Sequence, residues 1–244
     1  MENNRRVVIT GIGVIAPNGI GKDTFWDALK NGRTGIRKIT YFDSSVFPFH
    51  VAGEIPDFDP KAFMPLKAIS RTDRSTHFAI AATSMALKDA NLSLTDKLRE
   101  EIHTVVGTAM SGHISYIEQL RAYFTKGYRG LSPFAAVSCF ADACSGQLAI
   151  IFGLRGPAET ICAGCAASTN AVIDAYKKIK LGETDICIAG GTDAPLSESI
   201  MCAFSQARVL SLKEEKTPSP FDKNRDGTVL SEGAGIIIIE ELAN

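Results

Sequence analysis

The chain has 244 residues and a formal net charge of -1, with 45% hydrophobic and 22% charged residues. That near-neutral balance excludes a whole-protein attraction to nucleic acid or to an anionic membrane, and no apolar run reaches the ~18–20 residues needed to span a bilayer. Six cysteines spread through a chain of this length fit a reducing compartment better than a disulfide framework. The polar start from Met1 to Arg6 shows no secretory signal, so a cytoplasmic protein is expected.

The first predicted strand is Val7-Val8-Ile9-Thr10, an unbroken apolar run that stops at Gly11. Pro17-Asn18-Gly19 marks a turn, with further loops expected at Phe47-Pro48 and between Pro56 and Pro65. A helix is predicted over 74–90, where Phe78, Ala82, Met85 and Ala86 share one face and Asn91 follows as a stop. The second strand, His103-Thr104-Val105-Val106-Gly107, again ends at glycine, and a helix is expected over 145–152. Thr160-Ile161-Cys162 forms the third strand. It leads into a helix over 166–181 with Val172, Tyr176 and Ile179 turned inward. Lys177, Lys178 and Lys180 suit the negative end of that helix, and Gly182 lies just past it. The fourth strand runs from Asp185 to Gly191, Pro218 and Pro220 mark a loop, and the fifth strand runs from Gly235 to Glu240. Apolar runs without alternation are covered on both faces, which is the pattern of an α/β domain with helices on either side of a sheet.

Three motifs have competing readings. Gly11-Ile12-Gly13-Val14-Ile15-Ala16 matches a dinucleotide fingerprint, but the acidic residue expected about 20 positions on is replaced by the turn-like Asn31-Gly32-Arg33-Thr34-Gly35. Close packing of glycine on the sheet explains it better. Asp222-Lys223-Asn224-Arg225-Asp226-Gly227 opens like a calcium loop, but Gly233 occupies the place of the bidentate glutamate and Glu232 misses it by one. Cys162 and Cys165 have dithiol spacing and Cys139 with Cys144 makes a second pair, yet the surrounding sequence is strand-like or apolar rather than a polar zinc knuckle. No metal and no cofactor is therefore expected. The histidines His50, His77, His103 and His113 form no pairing motif, and each is expected to be solvated or to cap an element.

The segment from Gly156 to Ser168 carries the strongest chemical signal. A short strand, a turn of tiny residues and a helix put the Cys165 thiol at a helix mouth, where orphan N–H groups and the helix dipole favour a thiolate. Gly164, Ala166 and Ala167 leave room for a bulky thioester. The competing reading is a buried cysteine acting as a small hydrophobe.

Read together, the strands, the Gly190-Gly191 pair and the placement of Cys165 resemble the β-ketoacyl synthases of the thiolase-like superfamily. The motifs that carry the resemblance include Arg6 to Val14 with Pro17-Asn18-Gly19, Tyr41-Phe42-Asp43, Ser132-Pro133-Phe134 and Gly153-Leu154-Arg155-Gly156-Pro157. Leu181 to Asp193, Pro220 to Gly227 and Glu232-Gly233-Ala234-Gly235 complete them. The resemblance implies an α/β, thiolase-like half with a five-stranded mixed sheet and helices on both faces, filling 1–244 as one N-terminal domain. It implies that Cys165 takes an acyl group from an acyl carrier protein and that decarboxylated malonyl-carrier protein then attacks it in a Claisen condensation. Met110 falls where the family lines its acyl pocket, Phe204 matches the gating phenylalanine, and Ala135 is small where many members are bulky. Lys67, Arg71, Arg129 and Arg208 fall near positions that meet the acidic carrier, with an ordinary solvated surface as the alternative for each.

Two departures stand out. Ala163-Gly164 replaces the usual Thr-Ala before the nucleophile. The family's histidine motifs, of HGT and GHN type, belong to a second half and do not occur among these 244 residues. The resemblance implies a homodimer paired through the third strand, Glu159 to Cys162, or a partner chain supplying that half. The leading reading is the nucleophile half of a β-ketoacyl synthase; the alternative is a non-catalytic half that dimerises or binds carrier protein.

Overall fold

Residues 5–243 are described by a computed structural model whose strands are β1 (Val7–Ala16), β2 (Gly19–Ile20), β3 (Arg37–Lys38), β4 (Val51–Ala52), β5 (His103–Thr108), β6 (Ala158–Cys162), β7 (Ile186–Asp193) and β8 (Gly233–Glu241). The main sheet has six strands in the order β2-β1-β8-β7-β5-β6, and β3 pairs separately with β4. β5 runs parallel to both β6 and β7, whereas β8 is antiparallel to β7 and β1. All five strands expected from the sequence are present. The sixth arises because the Pro17-Asn18 turn folds the chain back, pairing Ile15 with Ile20 and Ala16 with Gly19.

β1 also differs from expectation, since it continues through Gly11 to Ala16. A bulge between Ile9 and Gly11 shifts its register on β8. The shift puts Gly11, Gly13 and Ile15 on the buried face. There the helix α3 (Arg74–Asp89) comes so close that a Cβ on Gly11 or Gly13 would strike the Ala86 or Ala82 carbonyl. The fingerprint-like glycines of this strand thus serve helix–sheet packing.

The remaining helices are α1 (Lys22–Lys30), α2 (Leu66–Ile69), α4 (Asp96–Glu101), α5 (His113–Lys126), α6 (Ala135–Cys139), α7 (Ala143–Phe152), α8 (Ala167–Leu181) and α9 (Glu198–Gln206). α3 is capped by Asp73, whose carboxylate accepts the Ser75 N–H at 3.0 Å. One side of α3 joins Ile186, Ile188, Ile236 and Ile238 in the larger core. Its Ala79 and Ile80 meet Val106, Cys144 and Leu148, so the helix is buried on more than one side.

α8 covers the opposite face of the sheet, packing on Val105, Cys187, Ala189 and Ile239. Its buried residues are Ala167, Ala171, Ala175 and Ile179, a stripe at four-residue spacing. Tyr176, expected to face inward, is 46% exposed, and Val172 is only half-buried. Small side chains let this helix sit low on the sheet, where a tyrosine has no room. Gly182 closes it in the left-handed region at φ 77°.

Candidate active site

Three parallel strands end side by side. Thr108 pairs with Cys162, and Gly107 pairs with Gly191, so the segments leaving β5, β6 and β7 emerge along one edge. After β6, Gly164 turns the chain through the left-handed region at φ 54° and a 3-10 turn spans Gly164–Ala166 before α8 begins. Only glycine takes that conformation without strain.

The start of α8 rests on bare backbone. A Cβ on Gly107 would collide with the Ala167 carbonyl and the Ser168 N–H, and one on Gly191 would collide with the Ser168 hydroxyl. These contacts fix the height of the turn that bears Cys165. Cys165 is exposed, as are its neighbours from Cys162 to Ala166. The Ala166 side chain supplies no cap to α8, which leaves its leading N–H groups unclaimed by any side chain at that position. Cys165 thus sits in the turn that leads directly into the N-terminal end of α8.

The other cysteines differ in environment. Cys144 and Cys187 are buried, and burial pushes both thiols well above the ordinary range, Cys187 to about 12. They stay protonated and serve as packing groups. Burial also raises Cys139, against an opposing hydrogen bond from Ser138. Among the described residues no group of three or more His, Cys, Asp or Glu is placed to hold a metal ion.

Met110 lies half-buried in the turn after β5, and that turn is held by a residue the sequence reading did not single out. The carboxylate of Asp193, the last residue of β7, accepts the Thr108 hydroxyl at 2.8 Å, the Met110 N–H at 2.7 Å and the Ala109 N–H at 3.0 Å. The only sequence signal was an acidic residue two positions after the glycine pair of β7.

The other expected residues scatter. Ala135 opens α6 and lines an apolar cavity of about 400 Å³ with Tyr116, Leu120, Tyr123 and Phe140. Phe204, on α9, packs half-buried against the cluster of Phe49, Ala52, Leu196, Met201 and Leu210. Lys67 and Arg129 are exposed, whereas the Arg71 guanidinium lies 4.1 Å from the centre of the Phe134 ring. Arg208 is exposed at a positive φ of 58°. His77 corrects the expectation of a solvated histidine: it is half-buried on α3, its Nε2 lies 3.2 Å from the Ile69 carbonyl, and burial lowers its pKa.

Two motifs that looked independent in sequence converge. Glu232, at the threshold of β8, is buried and accepts both Arg74 Nε and Nη2 at 2.8 Å, the Tyr41 hydroxyl at 2.6 Å and the Ile55 N–H at 2.9 Å. Burial, followed by the Glu232 carboxylate, keeps the Tyr41 phenol protonated well above its usual range. Further along, Asp226 accepts the Ser211 hydroxyl at 3.0 Å and the Leu212 N–H at 3.2 Å, so this carboxylate folds its own loop.

Residues 4–244 match the family Beta-ketoacyl synthase, N-terminal domain, and the chain belongs to that family. It is 36% identical to the 3-oxoacyl-[acyl-carrier-protein] synthase 2 of Staphylococcus aureus, an alignment covering 99% of this chain and 59% of the relative. It is 38% identical to the protein of the same name from Synechocystis sp., covering 98% of this chain and 58% of the relative. The chain thus spans about three fifths of the length of the curated relatives it matches. Among solved structures it resembles the ishigamide ketosynthase/chain length factor, with TM-score 0.88, 32% identity, and coverage of 98% of this chain and 59% of that one. It also resembles a β-ketoacyl synthase from Burkholderia phymatum, with TM-score 0.86, 27% identity, and coverage of 98% and 60% respectively. The AntDE:AntF structure, a type II PKS acyl-carrier protein in complex with its ketosynthase, gives TM-score 0.83 at 27% identity, with coverage of 98% and 59% respectively. Among the described residues no helix is long and apolar enough to cross a membrane.

Proposed function

We propose that this chain carries the nucleophile of a β-ketoacyl synthase. The observation that bears most weight is the exposed Cys165 at the mouth of α8, beside N–H groups left unclaimed by a capping side chain. The Cys165 thiolate attacks the carbonyl carbon of an acyl-carrier thioester, and negative charge moves to the carbonyl oxygen. The Cys165 N–H donates to that oxygen. Collapse of the intermediate expels the carrier's thiolate and leaves the acyl group on Cys165.

In the second stage a malonyl-carrier thioester loses CO2, and the resulting carbanion attacks the acyl-Cys165 carbonyl, releasing the thiolate and forming the β-ketoacyl product. The developing enolate needs hydrogen-bond donors. Histidines outside these residues supply them, on the same polypeptide or a partner chain. Met110, Ala135 and Phe204 shape the acyl site in this reading, and Lys67, Arg71, Arg129 and Arg208 face an acidic carrier protein. β6 is an edge strand with Ala158, Glu159 and Cys162 exposed, which supports pairing of two chains along it. The unpaired cysteines support a cytoplasmic location.

Intact and peptide mass spectrometry after incubation with acyl-carrier protein tests the assignment. One acyl group on Cys165, absent from Cys165→Ala, is expected. A Cys165 left unmodified while other cysteines are labelled would overturn the acyl-acceptor reading and favour a carrier-binding, non-catalytic subunit.

A further inference from the structure

We propose that Asp193 is a positioning residue that sets acyl-length preference by holding the Met110 turn; this rests on the reading of Cys165 as the acyl acceptor. The arrangement follows from strand order. β7 and β6 flank β5, so Asp193 and the Cys165 turn stand on either side of the segment leaving Thr108. A carboxylate at the end of β7 is the one side chain there that accepts from several donors at once.

Asp193 uses that capacity on the turn alone. Its Oδ1 takes the Thr108 hydroxyl at 2.8 Å and the Met110 N–H at 2.7 Å, and Oδ2 takes the Ala109 N–H at 3.0 Å. No ion pair to Asp193 occurs among the described residues, so neutral dipoles of the turn satisfy its charge. The Thr108 oxygen, oriented by giving its proton to Asp193, accepts the Ser111 N–H at 2.9 Å.

A second carboxylate grips the far end of the same segment. Asp73 is 1% exposed and accepts the Ser75 hydroxyl at 2.7 Å and the Ser115 N–H at 2.9 Å, while Ser75 and Ser111 hydroxyls lie 2.9 Å apart. The segment between β5 and α5 is therefore tied to β7 at one end and to the start of α3 at the other. Gly112 within it takes φ 80° and has no room for a Cβ against the Cys139 backbone. Met110 stands at the Asp193 end of this segment, where its own N–H is held, whereas Ile114 lies beside the Asp73 tie at Ser115.

The test uses the full chain, with short and long saturated acyl-pantetheine thioesters as probes, and reads Cys165 acylation rates by mass spectrometry. Asp193→Asn keeps the size but replaces one acceptor oxygen with a donor that faces an N–H. It is expected to change the long-to-short rate ratio by about tenfold, the scale on which pocket shape discriminates single methylenes. Asp193→Glu, which retains both acceptors, is expected to recover part of that ratio. A purely structural role would lower both rates together and leave the ratio unmoved. Should Asp193→Asn fail to fold, Thr108→Val removes one of the same bonds and is read in the same way. A labelled wild type whose ratio the variants share overturns the proposal alone. A wild-type Cys165 that no thioester labels overturns the acyl-acceptor reading and this proposal with it.

Discussion

Replacing Gly107 with alanine tests whether the turn that bears Cys165 rests on bare backbone. The added methyl would meet the Ala167 carbonyl group and the Ser168 nitrogen, which are main-chain atoms of the helix that follows Cys165. A flexible side chain could swing aside, but main-chain atoms yield only if the whole helix end lifts. Overpacking typically costs about 1–3 kcal/mol, and a main-chain collision belongs at the upper end, about 3 kcal/mol. With a urea dependence of about 3 kcal/mol per molar, the unfolding midpoint should fall by about 1 M. Gly146→Ala is the internal control. Gly146 lies within α7 and an added Cβ there has nothing within 4 Å, so the same change should stabilise the helix by about 0.5–1 kcal/mol. The two variants should thus move in opposite directions in one denaturation series. A Gly107→Ala protein that unfolds at the wild-type midpoint would refute the seating of α8 on β5 and the account of how Cys165 is held.

Other expectations follow from the same structure. Glu232→Ala removes the buried partner of Arg74 and strands the Tyr41 and Ile55 donors, and it should lower stability by about 3 kcal/mol in chemical denaturation. Burial holds the His77 imidazole below its ordinary pKa, as it does His103, with Lys178 the second cause there. Between the folded and unfolded values the unfolded chain binds more protons, so stability is full above about pH 6.5 and is lost as pH falls towards the depressed folded values. His77→Gln should remove part of that slope and the His77→Gln, His103→Gln pair most of it; an unchanged slope in the pair would refute the assignment. Reversing the exposed Lys67 and Arg129 to glutamate should slow carrier-dependent acylation of Cys165 about tenfold at low salt and leave carrier-free acylation unchanged. Arg71 is left out of that pair because its stacking on Phe134 would confound charge with packing.

Much of the frame was readable from local signals. Uniform apolar runs ending in glycine located the central strands, because a strand covered on both faces needs no polar alternation. The strand–turn–helix setting of Cys165 was legible by the same kind of reasoning, since an apolar run, a turn of tiny residues and a helix closed by Gly182 are all short-range features. Local patterning failed where a helix face is chosen by how closely it can approach its neighbour. Tyr176 fits the apolar period of α8, yet the alanines at 167, 171 and 175 win the inner face because they bring the helix down onto Gly107 and Gly191. The bulge in β1 and the short strand β2 were hidden likewise, being settled by pairing with β8 and by the return of the chain at Pro17.

The tie between Asp193 and the Met110 turn lies beyond any local reading. Its partners are more than 80 residues apart in the chain and meet only because β7 and β5 are neighbours in the sheet. The same holds for Tyr41, Arg74 and Glu232, which three separate segments deliver to one buried point. The amino-acid sequence alone determined where the five principal strands lie and that Cys165 falls between a strand and a helix, because those depend on neighbours along the chain. Tertiary structure alone decided which carboxylates hold the surrounding turns, because a hydrogen bond of about 2.8 Å is set by strand order and helix height, and neither is written in any one stretch of residues.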